Sequence, residues 1–172
     1  FIWKEYSKLY SAVGFKYFYD HNRHQLNKSA LLEYFKLNTG IKCIHLKRDN
    51  LLAALFSYKR ALYQRQWQNA DPDYRVSIPI EECNKYFVGI LESQKQYDEL
   101  FKDRILEINY NNLINNTGRT LEDILEFIGI EKMSLTTETI KNKEVKLSDC
   151  IMNYKELQDH FAKSDYAAYF DE

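Results

Sequence analysis

The chain has 172 residues, with 24 Lys plus Arg against 25 Asp plus Glu and a formal net charge of −1. That length suits one domain with a full core, and 45% hydrophobic against 28% charged residues excludes a disordered chain. The near-neutral balance does not suggest a broad nucleic-acid-binding surface and leaves a small local basic site open, and no apolar run approaches the ~18 residues of a membrane span. The opening residues do not read as a signal peptide, and none is expected. Cys43, Cys83 and Cys150 are odd in number, far apart and set in apolar patterns. They read as reduced core thiols, not a disulfide frame or zinc site, and a cytoplasmic location is expected. Aromatics reach 15%, with 14 Tyr and 10 Phe. They read as a Tyr-rich core and rim, and alternatively as some Tyr stacking on a nucleotide base.

In chain order, Phe1 to Val13 places Ile2, Tyr6, Leu9 and Tyr10 on one helical face, and Gly14 ends it. Gly14 to Tyr19 (GFKYFY) reads as a strand, with Lys16 the charged member of an aromatic run. Asp20 to Gln25 follows as a polar loop. His21 and His24 lack a third partner for a metal. By position at a strand end, His21 or Asp20 is a general-base candidate. Ser29 to Asn38 is a helix capped by Ser29 and followed by Gly40.

Ile41 to Lys47 is a short apolar run with the look of a buried parallel strand. Arg48 stands where it ends, and Asp49 or Asn50 can cap the next helix. Leu51, Leu52, Leu55, Ser57 and Leu62 recur at mostly helical spacing, so Ser57 lies about two turns up that helix. Open α/β sheets bind ligands at the carboxyl ends of parallel strands. A guanidinium there and a hydroxyl on the next helix make a two-point clamp for a phosphate. The helix is expected to run to Gln68, with Lys59 and Arg60 on a solvated face. Gln68 to Val76 is turn chemistry around Asp-Pro-Asp.

Pro79 to Lys102 is the strongest helix, with Cys83, Phe87, Ile90, Leu91, Gln94, Tyr97 and Phe101 in one stripe. Arg104 to Tyr110 reads as a third strand. Thr120 opens a helix through a near capping box with Asp123, and Gly129 stops it. Ile130 to Leu147 reads as a solvated, Lys-bearing segment. Ser148 to Phe161 is the last helix, with Ile151, Tyr154, Leu157 and Phe161 buried. The sum is an α/β domain with a short parallel sheet and helices on both faces.

Several of these stretches together resemble the PAPS-dependent sulfotransferase superfamily, and its bacterial nodulation-factor and trehalose-type branch in particular. The carriers are GFK at Gly14, Arg48-Asp49 with Ser57 on the next helix, Tyr110-Asn111-Asn112-Leu113, LEDILEFIGI from Leu121, and the IMNYKEL tail. The resemblance implies a three-layer, P-loop-nucleotide-hydrolase-like fold over residues 1–172, with PAPS as co-substrate and no metal. It implies that Arg48 and Ser57 bind the 3′-phosphate, although their spacing is nine residues where eight is commoner. It puts Tyr110 near the adenine and offers Lys141 or Lys143 in a late basic loop over the 3′-phosphate. Lys16 then has two readings: a strand-end Lys with a solvated head, or a catalytic cation beside the transferred sulfuryl group. The His that cytosolic members have two residues later is Phe18 here, so that base does not carry over, and His21 or Asp20 stays the candidate by position.

The superfamily also has an N-terminal strand and a Gly-rich phosphosulfate loop. The glycines here are isolated, so the chain is expected to lack that piece. Expected partners are a small-molecule or carbohydrate acceptor bearing a hydroxyl or amine; the oligomeric state stays open. Two other readings stand beside transfer: a non-catalytic nucleotide-binding module of the same fold, and a nucleotide-kinase-like phosphotransferase. The latter needs a Gly-x-x-x-x-Gly-Lys loop and Mg²⁺ ligands that the sequence does not show.

Overall fold

The computed structural model describes residues 6–7, 9–19, 28–67, 71, 73–136 and 145–171. The chain divides into two compact units. A sheet unit takes Phe1–Lys47 and Ser93–Leu135, and a helical unit takes Arg48–Glu92 and Thr136–Glu172. One helix, α3 (Ile80–Phe101), lends its first turns to the helical unit and its last to the sheet unit.

In the sheet unit, α1 (Lys28–Leu37) leads to β1 (Cys43–Lys47), and β2 (Ile105–Asn109) pairs with it in parallel, from Cys43 opposite Ile105 to Lys47 opposite Asn109. Alternation along both strands sends Cys43 and Ile105 into a cluster built on Phe35, Tyr97 and Phe101. Phe35 and Phe101 meet with ring centroids 5.5 Å apart. Arg104 ties this corner together. Its guanidinium donates to the carbonyls of Phe35 (2.7 Å), Ile41 (2.8 Å) and Asn38 (3.0 Å), and lies over the Phe101 ring.

Among the described residues the sheet has two strands, not three. Gly14 to Tyr19 forms no ladder. Its alternation does send Tyr17 and Tyr19 into the aromatic cluster, but rings hold the run, and a strand needs a hydrogen-bonded neighbour. The described part of the expected first helix is not helical either. Leu9 is 93% exposed, and a short helix without a packed face does not hold.

The third expected strand stops one residue early, because Asn109 caps a helix. Its Oδ1 accepts from the N–H of Asn111 at 2.8 Å, and Tyr110 becomes the first residue of α4 (Tyr110–Asn115). The following helix, α5 (Thr117–Ile128), starts three residues before Thr120. Thr120 is not its cap: the buried hydroxyl donates back to the Asn116 carbonyl at 3.0 Å, a helix-interior bond. Gly129 ends α5 as expected, in the left-handed region at φ 82° that favours glycine, with its N–H returning to Leu125 and Glu126.

In the helical unit, Asn50 rather than Asp49 caps α2 (Leu51–Gln64), accepting from Ala53 N–H at 2.8 Å. The helix ends at Gln64 because Arg65 turns left-handed at φ 52°. Leu52, Leu55 and Phe56 of α2 pack with Ile78, with Cys83 and Phe87 of α3, and with Leu157 and Phe161 further on. Arg60 corrects the solvated-face expectation. It is 4% exposed, with its guanidinium over the Phe56 ring. Lys59 pairs with the Glu82 carboxylate at 2.7 Å.

The expected last helix is two: α6 (Leu147–Cys150) and α7 (Tyr154–Phe161). Ile151 leaves the helix to form a parallel bridge with Val76, through Val76 N–H to Cys150 O (3.0 Å) and Met152 N–H to Val76 O (2.9 Å). Asn153 then clasps both backbone groups of Ile78, each at 3.0 Å. These bonds satisfy backbone groups that a continuous helix would have used.

Cys43, Cys83 and Cys150 form no disulfide. Burial pushes the Cys83 thiol up to about 12 and that of Cys43 up to about 11. No helix among the described residues is long and apolar enough to cross a membrane.

Candidate functional site

Two polar constellations stand out, one in each unit. The first belongs to the helical unit. Arg48 and Ser57 are both half-buried, and Arg48 Nη1 donates to Ser57 Oγ at 3.4 Å. The Asn50 cap fixes the axis of α2, and its Nδ2 donates to the Tyr169 carbonyl at 3.0 Å, which anchors the start of the helix. The Arg48 guanidinium thereby meets Ser57 across the nine-residue spacing. A bond of 3.4 Å is long, so an anion that accepted from both groups would replace a weak contact with charge-assisted ones.

The second constellation belongs to the sheet unit, on the face of β1 that carries Cys43, His45 and Lys47. His45 is 5% exposed. Its Nδ1 lies 2.9 Å from Asp98 Oδ1, and its Nε2 bonds to the Tyr19 hydroxyl. An ionised carboxylate only accepts, so Nδ1 carries the proton and Nε2 accepts from Tyr19. Lys47 Nζ donates to Asp98 Oδ2 at 2.8 Å and also to Glu107. Burial lowers the His45 pKa below its ordinary value, against the pull of Asp98. Burial pushes the Asp98 carboxyl up, but its hydrogen bonds with Lys47 and His45 outweigh that and hold it below the usual range. Burial likewise pushes Lys47 down, while its two carboxylate partners raise it overall.

Of the described residues singled out from sequence, Arg48 and Ser57 are joined by a hydrogen bond. Lys16 is exposed, with its ammonium 4.8 Å from the Phe18 ring centroid. Tyr110 is half-buried at the start of α4. His21, Lys141 and Lys143 lie outside the described residues, as does Asp20. The sequence reading passed over His45 and Asp98. The available signal was a His and a Lys alternating on one strand face, and an Asp one helical turn beyond Gln94 on α3. Among the described residues, no group of His, Cys, Asp or Glu is arranged to hold a metal ion.

Residues 18–134 match the profile of the sulfotransferase family. Over 140 residues the chain is 29% identical to nodulation protein H of Rhizobium meliloti, covering 77% of this chain and 57% of that protein. Over 139 residues it is 30% identical to nodulation protein H of Rhizobium tropici, covering 77% and 55%. The chain thus spans little more than half the length of the curated relatives it matches. No solved structure matches it.

Proposed function

The chain belongs to the sulfotransferase family, and on that premise we propose that it binds PAPS and moves the sulfuryl group to a hydroxyl or amine of a small-molecule or carbohydrate acceptor. The observation that carries this reading is the convergence of Arg48 and Ser57. In this reading the pair grips the 3′-phosphate. The guanidinium supplies charge and directed N–H groups, and the hydroxyl supplies one further donor. Both residues position the donor and take no part in bond making. The fold that accompanies this reading is the three-layer, P-loop-like one.

The acceptor oxygen attacks sulfur in line as the bond from sulfur to the bridging oxygen breaks. The electron pair leaves with PAP, and the acceptor proton passes to a base. Cations near the bridging oxygen stabilise the charge that grows there. In the same reading Lys16 takes that role, His21 is a candidate base, Tyr110 lies near the adenine, and Lys141 or Lys143 closes over the 3′-phosphate.

Calorimetry with PAP, then with ATP, tests the donor assignment. PAP should bind and ATP should not displace it. Tight ATP binding with no response to PAP would move the chain to the phosphotransferase reading. PAP binding without transfer to any acceptor would make it a non-catalytic module.

A further inference from the structure

The grip of Arg48 and Ser57 depends on how the chain enters α2, since Arg48 precedes that helix and Ser57 lies within it. We propose that Asn50 is a positioning residue of the donor site, which sets Arg48 against Ser57 through a clasp to the 3-10 turn Ala167–Phe170. The proposal rests on the donor-site reading of Arg48 and Ser57, and every group in it belongs to the helical unit.

The Asn50 amide is used at both ends. Its Oδ1 accepts from Ala53 N–H at 2.8 Å, and its Nδ2 donates to the Tyr169 carbonyl at 3.0 Å, 119 residues along the chain. Only one orientation of the amide serves both, because the oxygen cannot donate and the nitrogen cannot accept. The first bond is ordinary capping, which Ser, Thr or Asp also performs. The second ties the cap to a separate element and is not needed to start a helix. Asn50 is extended, at φ −83° and ψ 99°, so the chain leaves the helix path at this residue, between Arg48 and Ser57.

The turn that receives the clasp is itself held. The Phe170 carbonyl accepts from the Tyr154 hydroxyl of α7 at 2.8 Å, and more weakly from Gln158 Nε2 at 3.4 Å. The Phe170 ring is buried and stacks on Phe161, with centroids 5.6 Å apart. The Tyr169 ring meets Phe87 of α3 edge-on at 5.1 Å. Two successive carbonyls are thus claimed by different elements, that of Tyr169 by the cap of α2 and that of Phe170 by α7. Leu51 and Leu52 open α2 in the same packed cluster as Phe170. Their packing holds the helix in place but is non-directional. The clasp supplies the direction, because it fixes the residue from which Arg48 departs. Without it PAP binding has to order the entry to α2 as well, and the loss is limited to what the clasp contributes.

The test is a double-mutant cycle on the whole chain, with PAP as the probe. Asn50→Ser keeps a neutral cap and removes the Nδ2 donor. By calorimetry it should weaken PAP binding about 3- to 10-fold, the size of one neutral hydrogen bond. KM for PAPS should rise in step, with kcat within about twofold of wild type. In the Arg48→Ala background the same substitution should have no further effect, because the group it orients is gone. A purely structural loss would weaken binding equally in both backgrounds. Tyr154→Phe keeps the ring beside Phe170, leaves the α2 cap intact and removes the main donor to the turn; it should weaken PAP binding in the same direction. Wild-type PAP affinity in Asn50→Ser or in Tyr154→Phe, or an undiminished loss in the double variant, overturns the clasp while Arg48→Ala still weakens binding. Unchanged affinity in Arg48→Ala sinks the donor-site reading and the clasp's role with it.

Discussion

Arg48 Nη1 lies 3.4 Å from Ser57 Oγ although nine residues separate them, one just ahead of the Asn50 cap and the other two turns into α2. The unliganded contact is weak by its length, so an anion that accepted from both groups would replace it with charge-assisted bonds. Arg48→Ala should weaken PAP binding by roughly 2–4 kcal/mol, the size of a lost charge-assisted phosphate contact. Ser57→Ala should cost about 0.5–1.5 kcal/mol, one neutral donor's worth. Titration calorimetry reads both. Unchanged affinity in Arg48→Ala removes the pair from the donor site.

Arg104 should prove structural. It serves three carbonyls at 2.7–3.0 Å, from the end of α1 and the turn into β1. Arg104→Met keeps much of the stem over Phe101 but takes the Arg104 donor from the Phe35 and Ile41 carbonyls, while the Asn38 carbonyl keeps the Ile41 N–H at 3.1 Å. Orphaned acceptors of this kind cost about 1–3 kcal/mol each before water reaches them. Because the site is only half-buried, a total loss of ~2–4 kcal/mol is expected in urea unfolding. Arg104→Lys should recover only part, because one ammonium cannot reproduce the planar fork. A melt unchanged by either variant would show that solvent already serves these carbonyls.

What the sequence made legible follows the range of the forces involved. Helix α3, the parallel pair β1 and β2, and the junction at Arg48 were readable because apolar periodicity and capping act within a few residues. Asn50 and Gly129 did what their side-chain chemistry dictates. The misses have non-local causes. Gly14 to Tyr19 alternates like a strand, but its rings find Phe35 and Tyr97 instead of a ladder. The last helix breaks because Ile151 is claimed by Val76, 75 residues earlier. Arg60 sits in a charge pair that looks solvated, and only packing buries it. The bond from His45 to Asp98 spans 53 residues, beyond any local pattern.

The same network makes stability depend on pH in a defined direction. The folded His45 has a lowered pKa, so the unfolded chain binds its proton first. The stability this residue lends is whole above the unfolded value of about 6.5 and fades as pH falls through the folded one. Asp98, also lowered, adds stability that is whole above about 3.9 and is lost as pH falls through its folded value. Lys47 is raised, so its share is whole below about 10.4 and is lost only as pH rises through its folded value. Urea midpoints should therefore drop in two stages on acidification. His45→Gln should flatten the first stage, and Asp98→Asn the second. A His45→Gln profile parallel to wild type between pH 5 and pH 7 (about the window set by that reference value) would remove His45 as the source.

Arg60 gives the sharpest test of the packing. Arg60 is 4% exposed, and neither Nε nor Nη1 has a hydrogen-bond partner among the described residues. The Phe56 ring, 5.4 Å away, is its compensation. A cation–π contact contributes about 0.5–2 kcal/mol. A buried charged group with unsatisfied donors costs several kcal/mol. The second effect is the larger, so Arg60→Met, which keeps the aliphatic stem against Phe56 and removes the charge, should raise the unfolding free energy by roughly 1–3 kcal/mol. Arg60→Ala should gain less or lose, because it also opens a void beside Phe56. If Arg60→Met instead destabilises the chain by more than about 1 kcal/mol, the cation has a counter-charge in solution, and the ring is not what holds it.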